Sequence, residues 1–431
     1  MRKKLLYGAL VILPCVFFYA WGILSMRHNW FPFPTFKKIF IGERNYLGIA
    51  KPRHDLSRSE QLERLISNPY LAGYQAAGKD QGVTLHNRKS SWPGLNLYCS
   101  GHAPEAILMD MEGKVLHRWH YDFSSAWPHA SYEKETEKQR FFWHHVHLFE
   151  NGDLLAVFDR LGLIKIDKNS NLLWAWQGSY HHDVHLQADG TLWTLSYEKR
   201  RIPELNAWND IGENFIVALD VNGREIQRYS VLELFRRSGY RYLMFPVDSI
   251  KSILSRSIDI FHTNSIEVFD GRLAEKSPLF QKGNILVSIR ELNTVAIINV
   301  QKKEIVWAMG PNNFVRQHNA KLLENGHILL FDNGTNASRV VEFNPIDNQI
   351  TWEYQGDPPA SFFSKYLGYQ QRLPNGNTLI TESMAGRAFE VTPDKSIVWE
   401  FLNPHLVGNS GNLVATLFEM QRVNPGVEFW K

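Results

Sequence analysis

The stretch QHNAKLLENGHILLFDNG (317–334) reads as two short alternating strands joined at Asn325-Gly326. An Asn-Gly pair between alternating apolar and polar runs is the strongest short-range hairpin signal, so the pattern predicts a tight two-residue turn there. The same pattern returns in HHVHLFENGDLLAVF (144–158), HDVHLQADGTLWTL (182–195) and GYQQRLPNGNTLI (368–380). His144, His182 and His318 each stand eight residues before the glycine of their turn. His262, in FHTNSI (261–266), takes the same place in a further copy whose hairpin is interrupted by extra residues before Gly283. A position that repeatedly acquires the same titratable side chain points to repeats converging on one place.

A second unit alternates with these hairpins: a strand ending in Asp or Asn, a short turn, and a strand ending in an aromatic. It occurs as MDMEGKVLHRW, IKIDKNSNLLWAW, ALDVNGREIQRY, INVQKKEIVW, EFNPIDNQITW and EVTPDKSIVW. Its closing aromatics are Trp119, Trp174, Tyr229, Trp307, Trp352 and Trp399, which serve packing between repeats. Six copies at these intervals, built from short strands, predict an all-β fold, a six-bladed β-propeller of four-stranded blades over residues 91–431. The first copy lacks a preceding hairpin strand, whereas NLVATLFEMQRVNPG (412–426) after the sixth has one in excess. The C-terminal strand is therefore expected to complete blade one and close the ring.

The run from Leu5 to Met26 carries no charge and follows Arg2, Lys3 and Lys4. That is about the ~20 residues a bilayer-crossing helix needs, and no small-x-small cleavage site follows, so residues 1–28 read as an N-terminal transmembrane helix. Basic residues flank both sides, and the amino-terminal cluster favours an inner-membrane, single-pass protein with its body on the periplasmic side. Residues 29–90 form an extension in which Ser57 and Glu60 stand at capping-box spacing before QLERLI, predicting a short helix. The segment 231–261, with Arg236, Arg237, Arg241 and Arg256, falls outside the repeat and reads as a lid-like insertion over the ring.

Composition excludes some classes. The formal charge is +3 with 44% hydrophobic residues, and no block of Lys and Arg stands out, which argues against nucleic acid as a partner. Cys15 and Cys99 lie on either side of the anchor boundary, so no disulfide closes within the body. No phosphate-cradling glycine motif is present, and no nucleotide, metal or redox cofactor is expected.

In a two-residue hairpin, the residue eight before the glycine faces the one seven after it. This pairs His144 with Asp159, His182 with Tyr197 and His318 with Asn333, and His262 with Arg290 if the interrupted copy keeps register. Asn264 shares a face with His262, whereas Asp183 points away from the side taken by His182. One histidine near a strand end is ordinarily structural or solvated, and one arginine ordinarily an ion-pair partner. Coincidence of position sets this group apart, and the four imidazoles are expected to rim one cavity.

At these residues the chain resembles the bacterial aryl-sulfate sulfotransferases, a PAPS-independent family built on a six-bladed propeller. The resemblance runs over about residues 82–401 and is carried by GVTLHNRKSSWPGLNLYCSG (82–101), HHD (181–183), FHTNSI (261–266), SIR (288–290) and QHNAKLLENGHILLFDNG. It implies His318 as the nucleophile of a sulfohistidine intermediate, with His262, Asn264 and Arg290 around the transferred group and His182 completing the pocket. His144, Asn333 and Tyr197 join as substrate-binding candidates by register alone.

The residue types suit that chemistry. Neutral imidazole is a competent nucleophile near pH 7, a second imidazole can protonate a departing phenolate, and a guanidinium offers the sulfonate oxygens a planar fork of donors. The expected partners are a small-molecule sulfate ester donor and a hydroxyl acceptor, with the membrane engaged through the N-terminal helix. Two other readings fit the same residues: a metal-dependent hydrolase with imidazoles around a propeller axis, and a non-catalytic binding propeller.

Overall fold

The structure is a computed structural model that describes Trp21, Ala76 and residues 78–206, 209–244, 257–407 and 412–424. The expected membrane helix, apart from Trp21, and the expected helix after Ser57 lie outside the described residues. Among the described residues no helix is long and apolar enough to cross a membrane. The chain divides into two units. The smaller one gathers 1–60, 201–211 and 248–258, and its described part includes a turn in which the Leu205 and Asn206 amides both donate to the Ile202 carbonyl.

The larger unit is a six-bladed propeller. Blade two contains His145–Leu148, Leu154–Phe158, Gly162–Ile166 and Leu172–Gln177, from the axis outward, and blade three Tyr180–Leu186, Leu192–Arg200, Asp210–Leu219 and Glu225–Ser230. Blade four runs Thr263–Val268, Ile285–Ile289, Thr294–Asn299 and Glu304–Met309, and blade five His318–Leu322, Ile328–Asp332, Arg339–Asn344 and Gln349–Gln355. Blade six runs Tyr369–Arg372, Thr378–Glu382, Arg387–Val391 and Ile397–Leu402, extended outward by Gly82–His86. Blade one joins Leu95–Ser100, Glu105–Met109 and Val115–His120 to Leu417–Val423, which forms its innermost strand.

The second strands are continuous apolar runs, LLAVF, ILVSI, ILLFD and TLITE, because both their faces meet neighbouring blades and every residue in them is buried. The cores lie between blades. Leu97, Leu108 and Trp119 of blade one pack with Val146, Ala156 and Ile164 of blade two, and Leu286, Val295 and Ile297 of blade four pack with Leu330, Val341 and Phe343 of blade five. Each Leu, Val, Ile or Phe among them contributes about 1.5–3 kcal/mol on burial.

Closing aromatics of the repeat also bond across blades. The indole N–H of Trp119 donates to the Gly152 carbonyl at 2.9 Å, Trp352 to Pro393 at 2.9 Å, and Trp399 to Met111 at 2.9 Å.

The hairpin turns are one residue longer than expected. Leu323 N–H donates to the His327 carbonyl and Gly326 N–H to the Leu323 carbonyl, so the loop is Glu324–Gly326 and the first facing pair is Leu322 with Ile328. Gly326 holds φ 91° and Gly152 φ 87°, the left-handed position that ends a three-residue loop. A side chain there would be strained, which is why glycine occupies the third place.

The described part of the 231–261 insertion begins as a helix, Val231–Arg237, capped by Ser230 Oγ accepting from the Glu233 amide at 3.0 Å. Val231, Leu232, Leu234 and Phe235 are buried, and the helix packs against Glu304–Met309 and Glu225–Ser230, the outer strands of blades four and three. Residues 245–256, where a lid would lie, are outside the described residues.

Candidate active site

The innermost strands begin at one end of the axis, and that end gathers the four histidines. The His144 and His182 ring centroids are 4.7 Å apart and those of His182 and His262 5.0 Å. His318 lines the same cavity as His144, His182 and Asn264, together with Leu367, Phe418 and Tyr369 from blades one and six.

Local backbone departures aim these rings. His182 and His262 hold φ 62° and 49°, left-handed values uncommon for residues with a side chain. His182 lies within a register break, opposite Thr194 and Leu195, and His262 lies two residues before the one at Asn264. Bulges of this kind re-aim a side chain, and a neighbouring carboxylate holds each one. Asp159 Oδ1 accepts from the His182 amide at 3.3 Å, and Asp259 Oδ1 from the His262 amide at 2.8 Å.

The longer turn alters the expected pairs. His144 donates its amide to the Val157 carbonyl and does not face Asp159 across the ladder, although Asp159 still reaches the His144 and His182 rings from the strand end. Tyr197 bonds through its amide to the Ser179 carbonyl, three positions from the expected partner, because the bulge at His182 adds to the turn's displacement. Its ring lies 4.0 Å beneath the Arg160 guanidinium, in the wall of a separate cleft of ≈ 470 Å³. His262 and Arg290 do meet: the Arg290 amide donates to the His262 carbonyl at 3.3 Å.

Asn333 meets His318 through its side chain. Its Nδ2 donates to two carbonyls, Ser364 at 2.7 Å and Leu367 at 2.6 Å, which fixes the amide's orientation. Oδ1 therefore faces His318 Nδ1 at 2.7 Å as an acceptor. The proton of neutral His318 must then sit on Nδ1, leaving the Nε2 lone pair free. Asn333, fully buried and using its polar atoms on the protein, is placed to orient His318 and not to touch a substrate as expected.

Three of the axial rings are held below the ordinary imidazole range, chiefly by burial. Burial, then the Arg290 charge, holds His318 well below the ordinary imidazole range. Burial and the neighbouring imidazoles do the same for His182, and burial lowers His144. Arg290 is buried, pairs with Glu291 and lies 5.4 Å over the Tyr366 ring. One N–H of Asn264 is used on the Gln317 carbonyl at 2.9 Å, while its buried Oδ1 has no protein partner and offers an acceptor.

Further along the innermost strands lies a charged floor. Lys321 Nζ is 2.9 Å from Asp183 Oδ2, Asp183 Oδ1 is 3.6 Å from His145 Nε2, and His145 Nδ1 is 2.8 Å from Glu419 Oε2. These four side chains tie blades five, three, two and one together. Although burial opposes its charge, the Glu419 and Asp183 carboxylates carry His145 above the ordinary imidazole range.

Sequence reasoning missed Asp259, Arg160 and Glu419. Asp259 stands three residues before His262 but fell inside the segment read as an insertion, Arg160 follows Asp159 beyond the repeat's register, and Glu419 belongs to the closing strand. The Asp-x-x-His spacing of Asp259 was the available signal.

Among the described residues, two groups bring three ligand atoms within 4.8 Å: His144, Asp159 and His182, and, away from the axis, His102, Glu105 and His405. In the second, the two imidazoles stack at 3.5 Å with planes 4° apart, so their lone pairs run parallel and do not converge on an ion.

The solved structure of a protein of unknown function from Bacteroides caccae is 12% identical, covering 75% of this chain and 97% of its own, with a TM-score of 0.47. A virginiamycin B lyase from Staphylococcus aureus is 12% identical, covering 60% and 69%, with a TM-score of 0.37. These likenesses concern the fold only. No curated protein matches the chain. The arylsulfotransferase (ASST) profile matches residues 145–404, more than half of the sequence and every blade but the first, and the chain belongs to that family.

Proposed function

We propose that this protein transfers a sulfuryl group from an aryl sulfate ester to a phenolic or other hydroxyl acceptor, through a sulfohistidine on His318. Family membership supports arylsulfotransferase activity in general. The observation that carries the finer reading is the pairing of His318 Nδ1 with Asn333 Oδ1, which leaves Nε2 as an unprotonated nucleophile in a cavity lined also by His144, His145 and His182, with His262 beside His182.

In the first step, the Nε2 lone pair attacks sulfur and the bond from sulfur to the aryl oxygen breaks. The electron pair leaves on that oxygen, which takes a proton from His262 Nε2. The positive charge arising on the sulfated ring is shared with Asn333 through Nδ1–H. In the second step the acceptor hydroxyl attacks sulfur, its proton passes to His262 Nε2, and the N–S bond pair returns to His318. Arg290 offers its fork to the sulfonate oxygens, where removing such a donor ordinarily costs roughly 10²–10³ in rate. His182, kept neutral, is the second candidate for the proton, and Asn264 Oδ1 can accept from the incoming hydroxyl. His144 closes the cavity on the side of Phe418, 5.2 Å between ring centroids.

A metal-centred hydrolase is the second reading, favoured by the convergence of His144, Asp159 and His182. One experiment separates the two. Protein incubated with para-nitrophenyl sulfate without an acceptor is expected to gain one SO3 on the peptide carrying His318. The increment should vanish in His318→Ala, together with at least roughly 10³-fold of transferase activity, and a chelator should change neither. Hydrolysis without transfer, abolished by the chelator, would reverse the choice. We also propose that Leu5–Met26 anchors the protein in the inner membrane with the propeller on the periplasmic side, to be checked by fractionation and by protease accessibility of the intact cell envelope.

A further inference from the structure

Resting on His262 as the acid and base of that cycle, we infer that Asp259 is the positioning residue that makes His262 competent, and that Arg160 fixes the Asp259 carboxylate in place against it. Every lone-pair direction of the Asp259 carboxylate is engaged. Oδ1 accepts from the His262 amide at 2.8 Å and from Asn214 Nδ2 at 3.0 Å. Oδ2 lies 3.1 Å from His262 Nδ1 and 3.0 Å from Arg160 NH2. The carboxylate thus grips His262 twice, at the backbone and at the ring.

The backbone grip matters because His262 sits at φ 49°, a conformation a non-glycine residue keeps only where its surroundings enforce it. The ring grip decides chemistry. With Nδ1–H donated to a carboxylate, Nε2 is the atom that exchanges a proton in both half-reactions: it gives one to the departing aryl oxygen and receives one from the acceptor. Nδ1 keeps its proton throughout, and the ionised carboxylate stabilises the positive ring that acts as acid. His318 has the opposite arrangement, a neutral amide on Nδ1 beside a guanidinium, which suits a nucleophile. Carboxylate partner for one histidine and carboxamide for the other separates two otherwise similar imidazoles into two roles.

Burial opposes the Asp259 charge, but His262 and Arg160 together hold its carboxyl below the usual carboxylate range. Arg160 reaches Asp259 from the wall of the cleft it shares with Tyr197, so that cleft adjoins the proton-handling side of the site.

The test is Asp259→Asn in the full chain. The amide preserves volume and can still accept from the His262 amide and Asn214, but it presents N–H to His262 Nδ1 and blocks the protonated ring. In single turnovers without acceptor, sulfation of His318 by phenyl sulfate, whose leaving group needs a proton, should slow by roughly 10²–10⁴. Sulfation by para-nitrophenyl sulfate, whose phenolate leaves unassisted, should slow by about tenfold or less, while the later step to the acceptor slows alike for both donors. Arg160→Gln leaves the carboxylate in place and should steepen the leaving-group dependence in the same direction by a smaller factor. It supplies the measurement if Asp259→Asn does not fold. Equal losses on the two donors, or none on either, would overturn the assignment. A wild-type protein that never gains SO3 on the His318 peptide would instead remove the sulfohistidine reading, and this inference with it.

Discussion

At the scale of single residues, the proposed transfer gives Arg290 two effects that both favour activity. In that reading its charge binds the sulfonate oxygens, and it also makes the protonated His318 ring less stable, adding to the larger effect of burial. Only neutral His318 can attack. Because its pKa lies well below 6.5, the ring is deprotonated across the neutral range, and the acid limb that His318 imposes on kcat/KM falls below the ordinary imidazole value of about 6.5. Arg290→Gln removes the cation, so the His318 pKa rises and this limb moves to higher pH, while remaining below 6.5 because burial persists. The plateau should fall by roughly 10²–10³. A pH profile of kcat/KM for the two proteins checks both; a limb that stays in place would separate Arg290 from His318.

At the scale of elements, the hairpin pattern was legible and its register was not. Asn-Gly and Asp-Gly marked each turn, but the same dipeptides serve two-residue and three-residue loops, and a single added residue shifts every facing pair. His262 and Arg290 meet because a one-residue bulge leaves Thr263 opposite Ile289, whereas at His182 a two-residue bulge adds to the longer turn and Tyr197 is carried into another cleft. Left-handed backbone at His182 and His262 leaves no mark in a sequence, since it is imposed by Asp159 and Asp259 from outside the hairpin. The convergence of the four histidines was readable because it depends on strand order and not on register. The closing tryptophans were readable as packing, yet three of them also act as donors across a blade boundary. Trp399 is fully buried and its indole N–H is bonded to the Met111 carbonyl, so Trp399→Phe should cost about 1–3 kcal/mol by leaving that acceptor unpaired. Urea unfolding would measure it, and an unchanged midpoint would show that water replaces the indole.

At the scale of the molecule, the ring is closed by a strand that also builds the site. Leu417–Val423 completes blade one, and from it Phe418 and Glu419 face the axial cavity, so closure and site assembly are one event. Sequence gave the excess strand away, since the first repeat lacked one. It could not show what locks the strand in place. Arg422 does so: its NH1 lies 3.0 Å from Glu390 Oε2 of blade six, its Nε donates to Asn96 Oδ1 at 2.8 Å, and it bonds the Trp92 carbonyl. Both charged side chains are almost wholly removed from water. Replacing one partner of such a pair strands the other charge in the interior, so Arg422→Met should destabilise by about 3–5 kcal/mol. Adding Glu390→Gln should recover part of that loss, because the stranded charge and not the missing attraction is the larger cost. The double mutant should then be more stable than Arg422→Met alone, with His318 sulfation intact in the folded protein because neither residue lines the axial cavity. Denaturant midpoints for the three variants decide it, and strictly additive losses would show that Arg422 holds the ring through its bonds to Asn96 and Trp92 and not through Glu390.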